Sequence, residues 1–207
     1  MGAAVVSWAG IVAMVPIAIE DCRAAPLAAF LFGKGNLYTA SSFFHTSDFS
    51  ARSMKNEKVT GVIDCAAVSL SVMSTGIPFS SGNTAAFTAV NLFFVVGVVW
   101  TAVRNRMFAK SALLFFQAVF VVCFVGRVTT WHPQWRLAAS LAFSAGCSFV
   151  PVMQRQRNPP SEPLPVMPWN VQGVWGAWED FHVLVVATDV AFFSLAAVYV
   201  TALECQS

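Results

Sequence analysis

Residues 84–103 read TAAFTAVNLFFVVGVVWTAV, twenty positions without one charged side chain, and Arg104-Asn105-Arg106 follows at once. A soluble helix keeps a polar face toward water. This stretch has none, and about 20 apolar residues are what one crossing of the hydrocarbon core takes. A backbone in lipid must satisfy its own hydrogen bonds, and the run is too long for a barrel strand, so the form is a helix. Six more apolar runs repeat the theme: about 2–19, 25–47, 59–77, 109–125, 135–153 and 175–203. The expected fold is an all-α, seven-transmembrane-helix bundle in one domain spanning residues 1–207.

The composition agrees. Of 207 residues, 57% are hydrophobic and 11% charged, with 19 Phe and 7 Trp against 2 Tyr. Soluble domains carry about 25% charge, so an ordinary cytosolic enzyme and a free nucleic-acid binder are both excluded. Membrane lipids are the expected partners, and nucleic acid is not; nothing in the sequence fixes an oligomeric state. The five Cys lie scattered in apolar runs and read as small buried hydrophobes, not as a disulfide framework.

The connections are short except one. Pro78 closes the third run, and Ser80-Ser81-Gly82-Asn83 reads as a turn. Residues 154–170 are rich in proline and lack periodicity, which marks a loop. The second run is interrupted by Gly33-Lys34-Gly35, read as a kink or an early helix start. One set of loops holds Arg52, Lys55, Lys58, Arg104, Arg106, Lys110, Arg155 and Arg157; the opposite set holds Arg23, Arg127 and Arg136. By the positive-inside rule the N-terminus is expected in the cytoplasm.

Titratable groups within spans are costly and point to function. His45 near the end of the second run, Asp64 near the start of the third and His182 near the start of the seventh share one membrane face in this topology. Ser41 and Tyr38 lie four and seven residues before His45, on its side of the helix, and Asp189 lies seven after His182. Taken singly, each also reads as an interfacial or hydrogen-bonded residue. His132, between Trp131 and Trp135, falls on the opposite face and reads as an interface anchor.

The stretch Tyr38-Thr39-Ala40-Ser41-Ser42-Phe43-Phe44-His45-Thr46-Ser47-Asp48 resembles the second-helix signature of the transmembrane protein 8 and myomaker family. Gly61-Val62-Ile63-Asp64 and Phe181-His182 resemble its third-helix Asp and seventh-helix His. That family belongs to the CREST group, with the alkaline ceramidases and the progestin and adiponectin receptors. The resemblance implies a zinc-dependent hydrolase of lipid amides or esters. His45 and His182 would be zinc ligands, Asp64 a ligand or general base, and Ser41 a partner of the attacking water. Zinc held by three protein groups keeps an open position and lowers the pKa of bound water to about 7. The chain departs from the pattern at Val186, where a second helix-seven His is expected, and at Phe44 and Thr46, where the family has Tyr and Cys. The same resemblance therefore also implies a non-catalytic form, membrane-organising, fusion-related or receptor-like, with a degenerate metal site. A retinal protein is excluded, since residues 175–203 contain no Lys for a Schiff base. A transporter is disfavoured by the absence of repeats.

Overall fold

The structure is a computed structural model that describes residues 2–21, 24–46, 54–157 and 177–202; within these, the side chains of several helix-end residues, including His45, lie outside the description. Seven α-helices make up the described residues: α1 (Gly2–Glu20), α2 (Ala24–Thr46), α3 (Met54–Gly76), α4 (Thr84–Val103), α5 (Met107–Thr129), α6 (Pro133–Arg157) and α7 (Ala177–Thr201). A 3₁₀ turn, Ile77–Phe79, follows α3. The fold is all-α, as the apolar runs require.

Four segments are long and apolar enough to cross a membrane: Val59–Phe79, Thr84–Val103, Phe108–Thr129 and Phe181–Thr201. The chain is thus a membrane protein by its helices. The described side chains of α1 give a shorter apolar stretch, Val5–Met14, and those of α6 stop at Cys147. α2 falls outside the four because Lys34, Asn36, Tyr38, Ser41 and Ser42 interrupt its apolar surface.

Several helices outrun their apolar stretches. α3 begins at Met54, five residues before Val59, and α6 runs through Gln154-Arg155-Gln156 to Arg157. Lys, Glu, Gln and Arg are good helix formers, so the helix continues past the point where hydrophobicity stops. α6 starts at Pro133, whose missing N–H costs nothing at a helix's first position. Several hydroxyls within the spans are satisfied by their own helix: Thr101 donates to Gly97 O (2.9 Å), Thr129 to Val125 O (2.7 Å), Thr188 to Leu184 O (2.7 Å) and Ser194 to Val190 O (2.9 Å). Such back-bonding lets a polar residue sit in an apolar run without an orphaned group.

The chain divides into two compact units, residues 1–129 with 196–207, and residues 130–195. In the first unit α1 packs on α2, α2 on α3, and α3 on both α4 and α5. α3 is its central helix: 50% of its apolar window is buried, against 22% for α4 and 17% for α5. Phe30, Phe79, Phe87, Val98, Val121 and Val125 form the core, and Phe87 lies 4.7 Å from Phe124 by ring centroids. Tyr199 also belongs to this unit; its ring lies 5.2 Å from Phe79, and its hydroxyl is 3.3 Å from Ser81 Oγ. In the second unit the Trp135 ring meets Phe192 edge-on at 6.5 Å.

The expected break at Gly33-Lys34-Gly35 is corrected. α2 runs unbroken through it. Its glycines are there for close approach: a Cβ at Gly33 would collide with the Ser74 side chain of α3, and one at Gly35 would come within 3.0 Å of the Trp8 indole of α1. The turn after α3 is as expected, with Pro78 in the 3₁₀ turn and Gly82 at φ +80° before α4.

Candidate functional site

The central helix carries a run of buried polar residues, Ser69, Ser71, Ser74 and Thr75 of α3. Two groups of partners reach them from neighbouring helices. From α2 comes Lys34, only 5% exposed. Its ammonium donates to Ser71 Oγ (2.9 Å), Thr75 Oγ1 (2.8 Å) and the Ser71 carbonyl (3.3 Å), and lies 5.1 Å from the Phe30 ring centroid. The same carbonyl accepts from Ser74 Oγ (2.8 Å) and Thr75 Oγ1 (3.0 Å). A lysine at a helix centre costs about 2.5–3.5 kcal/mol to insert in a bilayer. Three oxygen acceptors and an aromatic face offset part of that cost.

From α4 and α5 come two amides. Ser69 Oγ donates to Gln117 Oε1 (2.6 Å), while Gln117 Nε2 donates to the Ser69 carbonyl (3.0 Å) and to Asn91 Oδ1 (3.2 Å). Asn91 Nδ2 donates to Phe87 O (3.0 Å). All three residues are fully buried. One amide side chain thus ties three helices together with both ends engaged, the interhelical hydrogen bonding that holds helices where water cannot compete.

Beside Lys34 opens a groove of about 380 Å³, lined on α1 by Ile11, on α2 by Ala28, Phe32 and Asn36, and on α3 by Leu70 and Met73. Gly33 and Ser74, the pair in closest approach, form part of its wall. Its surface is almost wholly apolar.

The expected site residues fall as follows. Ser41 and Tyr38 are half-buried on α2, and Asp64 is half-buried on α3 with Oδ1 shielded from solvent. His45 lies within α2, and its side chain is outside the description. Beside Asp64 sits Cys65, buried on α3. Cys65 is an addition that the spacing of His and Asp does not suggest. His182, Val186 and Asp189 lie on α7 within the second unit; His182 and Asp189 are half-buried, and Val186 is 37% exposed. Among the described residues no three His, Cys, Asp or Glu side chains lie together as a metal would need. His132 Nδ1 accepts from the Gln134 N–H at 3.3 Å, at the start of α6, and its ring meets Trp131 edge-on at 5.3 Å. In the sequence Lys34 stands out only as part of a break, and Gln117 and Asn91 do not stand out at all. An uncharged amide inside an apolar run was the one available signal.

No protein family, curated protein or solved structure matches this chain.

Proposed function

We propose that the chain is a seven-span membrane protein of the CREST type that holds a lipid acyl chain in the groove between α1, α2 and α3. The observation that carries this reading is the groove itself, an apolar slot of about 380 Å³ between helices of a membrane protein. In a bilayer the solvent that reaches such a slot is hydrocarbon. Among the described lining residues Asn36 and Ser74 alone carry polar side chains, so the occupant is recognised by shape more than by hydrogen bonds. The same α2 carries Tyr38–Thr46 of the stretch on which the resemblance rests. In this reading α1, α2 and α6 cross the membrane along with the four apolar spans.

The test is a lipid with a photoreactive group in its acyl chain, mixed with protein in nanodiscs and cross-linked. Labelled peptides from α2 and α3 containing Phe32, Leu70 or Met73 are expected, and Ala29→Phe, which fills the groove, removes them. Uniform labelling around the protein, unchanged by Ala29→Phe, overturns the reading.

The hydrolase form of the same reading adds zinc on His45, His182 and Asp64, with Ser41 orienting water. Zinc would polarise a carbonyl and supply hydroxide; the chain's own share would be to hold the ion through these three groups and to orient the water at the Ser41 hydroxyl. Val186 in place of a second His, with its side chain exposed, favours the non-catalytic form. Metal analysis separates the two. One zinc per chain, lost in both His45→Ala and His182→Ala, establishes the hydrolase form; zinc-free protein that still captures the acyl chain leaves the non-catalytic one.

A further inference from the structure

The α4–α5 turn is three residues long, yet it is rigidly built. Asn105 has φ +55°. Its N–H donates to Ala102 O (3.0 Å), and the Arg106 N–H reaches back to Thr101 O (2.9 Å). These two bonds are the paired closure of a Schellman cap, with Asn supplying the left-handed residue that usually is Gly. The closure fixes the backbone of two arginines on either side of Asn105. Both are exposed. The Arg104 guanidinium lies 5.8 Å from the Trp100 ring centroid. Around this charge stand outward apolar side chains: Trp100 at 55% exposure, Val103 at 65% and Phe108 at 77%. They belong to, or border, the apolar segments Thr84–Val103 and Phe108–Thr129, so the turn sits where hydrocarbon gives way to headgroups.

We propose that this turn is a binding site for the phosphodiester of an anionic membrane phospholipid, held between Arg104 and Arg106 with its acyl chains against Trp100, Val103 and Phe108. Guanidinium groups match phosphate oxygens in pairs. The Trp100 face restrains one guanidinium and leaves its edge N–H groups for the ligand. Basic residues at a membrane surface attract anionic lipid, each by an amount equivalent to about fivefold in occupancy. Unlike the groove, the site depends only on α4 and α5 crossing the membrane. It stands whether or not the acyl-chain reading holds.

Native mass spectrometry on delipidated protein tests it, with phosphatidylglycerol titrated against phosphatidylcholine. The wild type is expected to bind phosphatidylglycerol about tenfold or more in preference, and the preference should weaken as salt rises. Arg104→Gln with Arg106→Gln should lose it, while Arg104→Lys with Arg106→Lys should keep part, because charge remains and paired geometry does not. All four substitutions are of exposed side chains, and an unchanged melting curve confirms that the fold is intact. Equal binding of the two lipids by the wild type overturns the proposal. So does a double Gln variant that binds like the wild type, or displacement of the lipid by inorganic phosphate alone at similar concentration.

Discussion

Two polar seams meet on α3, and they are built on opposite plans. The seam toward α2 is redundant. Lys34 has three oxygen partners on α3, and the hydroxyls of Ser74 and Thr75 each also donate to the Ser71 carbonyl. The seam toward α4 and α5 is serial. Gln117 shares two bonds with Ser69 and one with Asn91, so every link across this seam runs through one side chain. The difference separates charge from vulnerability. The charged seam is costlier to place in a membrane, yet it tolerates the loss of a partner; the neutral seam is cheaper, and one deletion leaves groups stranded.

The largest effect is expected where helix spacing, not hydrogen bonding, is changed. Gly33→Leu forces a side chain into Ser74 and pushes α2 off α3, opening the redundant seam as a whole. A loss of about 3 kcal/mol is expected in denaturant titration of the protein in detergent or bicelles. Ser74→Gly in the same chain should recover much of it, because the colliding atoms are then gone. If the double variant is as unstable as the single one, the glycine is needed for some reason other than close approach.

Next comes Gln117→Leu, which keeps volume and removes both ends of the serial seam. Asn91 Oδ1 and the Ser69 carbonyl lose the Gln117 Nε2 donor, and the Ser69 hydroxyl loses its acceptor. A buried group left unsatisfied costs about 1–3 kcal/mol, and interhelical bonds in membranes average nearer 0.6, so a loss of about 1–2 kcal/mol is expected. Asn91→Leu added to it should cost little more, since its partner is already absent. Strict additivity would break the serial picture. Thr75→Val is the counterpart in the redundant seam. It removes one of three acceptors from Lys34 and should cost about 0.5 kcal/mol. A Thr75→Val loss equal to that of Gln117→Leu would mean that redundancy gives no protection.

How far these seams could be read from the sequence follows the same divide. The apolar runs announce the helices, and four of them are long and apolar enough to cross a membrane. Lys34 is conspicuous because a charge in such a run is rare. Its flanking glycines point toward a break. Glycine weakens an isolated helix, but here Gly33 admits Ser74 at a distance no Cβ would allow, and Gly35 seats Trp8 where a Cβ would be tight. Gln117 and Asn91 carry no such flag, because what makes them matter is that α3, α4 and α5 bring them together. Ser41 and Asp64 fall on the helices expected of them, α2 and α3 of the first unit, whereas His182 belongs to the second. Helical spacing places residues on a face; it does not place one helix against another.

The smallest effect is expected at the edge of the redundant seam, where α1 meets α2. Trp8 Nε1 donates to Thr39 Oγ1 at 3.0 Å, its ring covers Gly35, and its edge meets Phe32 at 5.8 Å. Trp8→Phe keeps an aromatic ring over the glycine and removes only the hydrogen bond. Thr39 is exposed, and a hydroxyl there can turn to its own backbone, so the loss should be about 0.5 kcal/mol or less. Trp8→Ala is different in kind: it uncovers Gly35 and removes the ring that borders the acyl-chain groove at Phe32. It should cost about 1–2 kcal/mol, less than a core aromatic truncation because Trp8 is partly exposed, and it should also reduce acyl-chain capture. If Trp8→Phe alone reduces capture, the Thr39 bond sets the width of the groove, and Thr39 belongs to the binding site and not merely to the packing of α1 on α2.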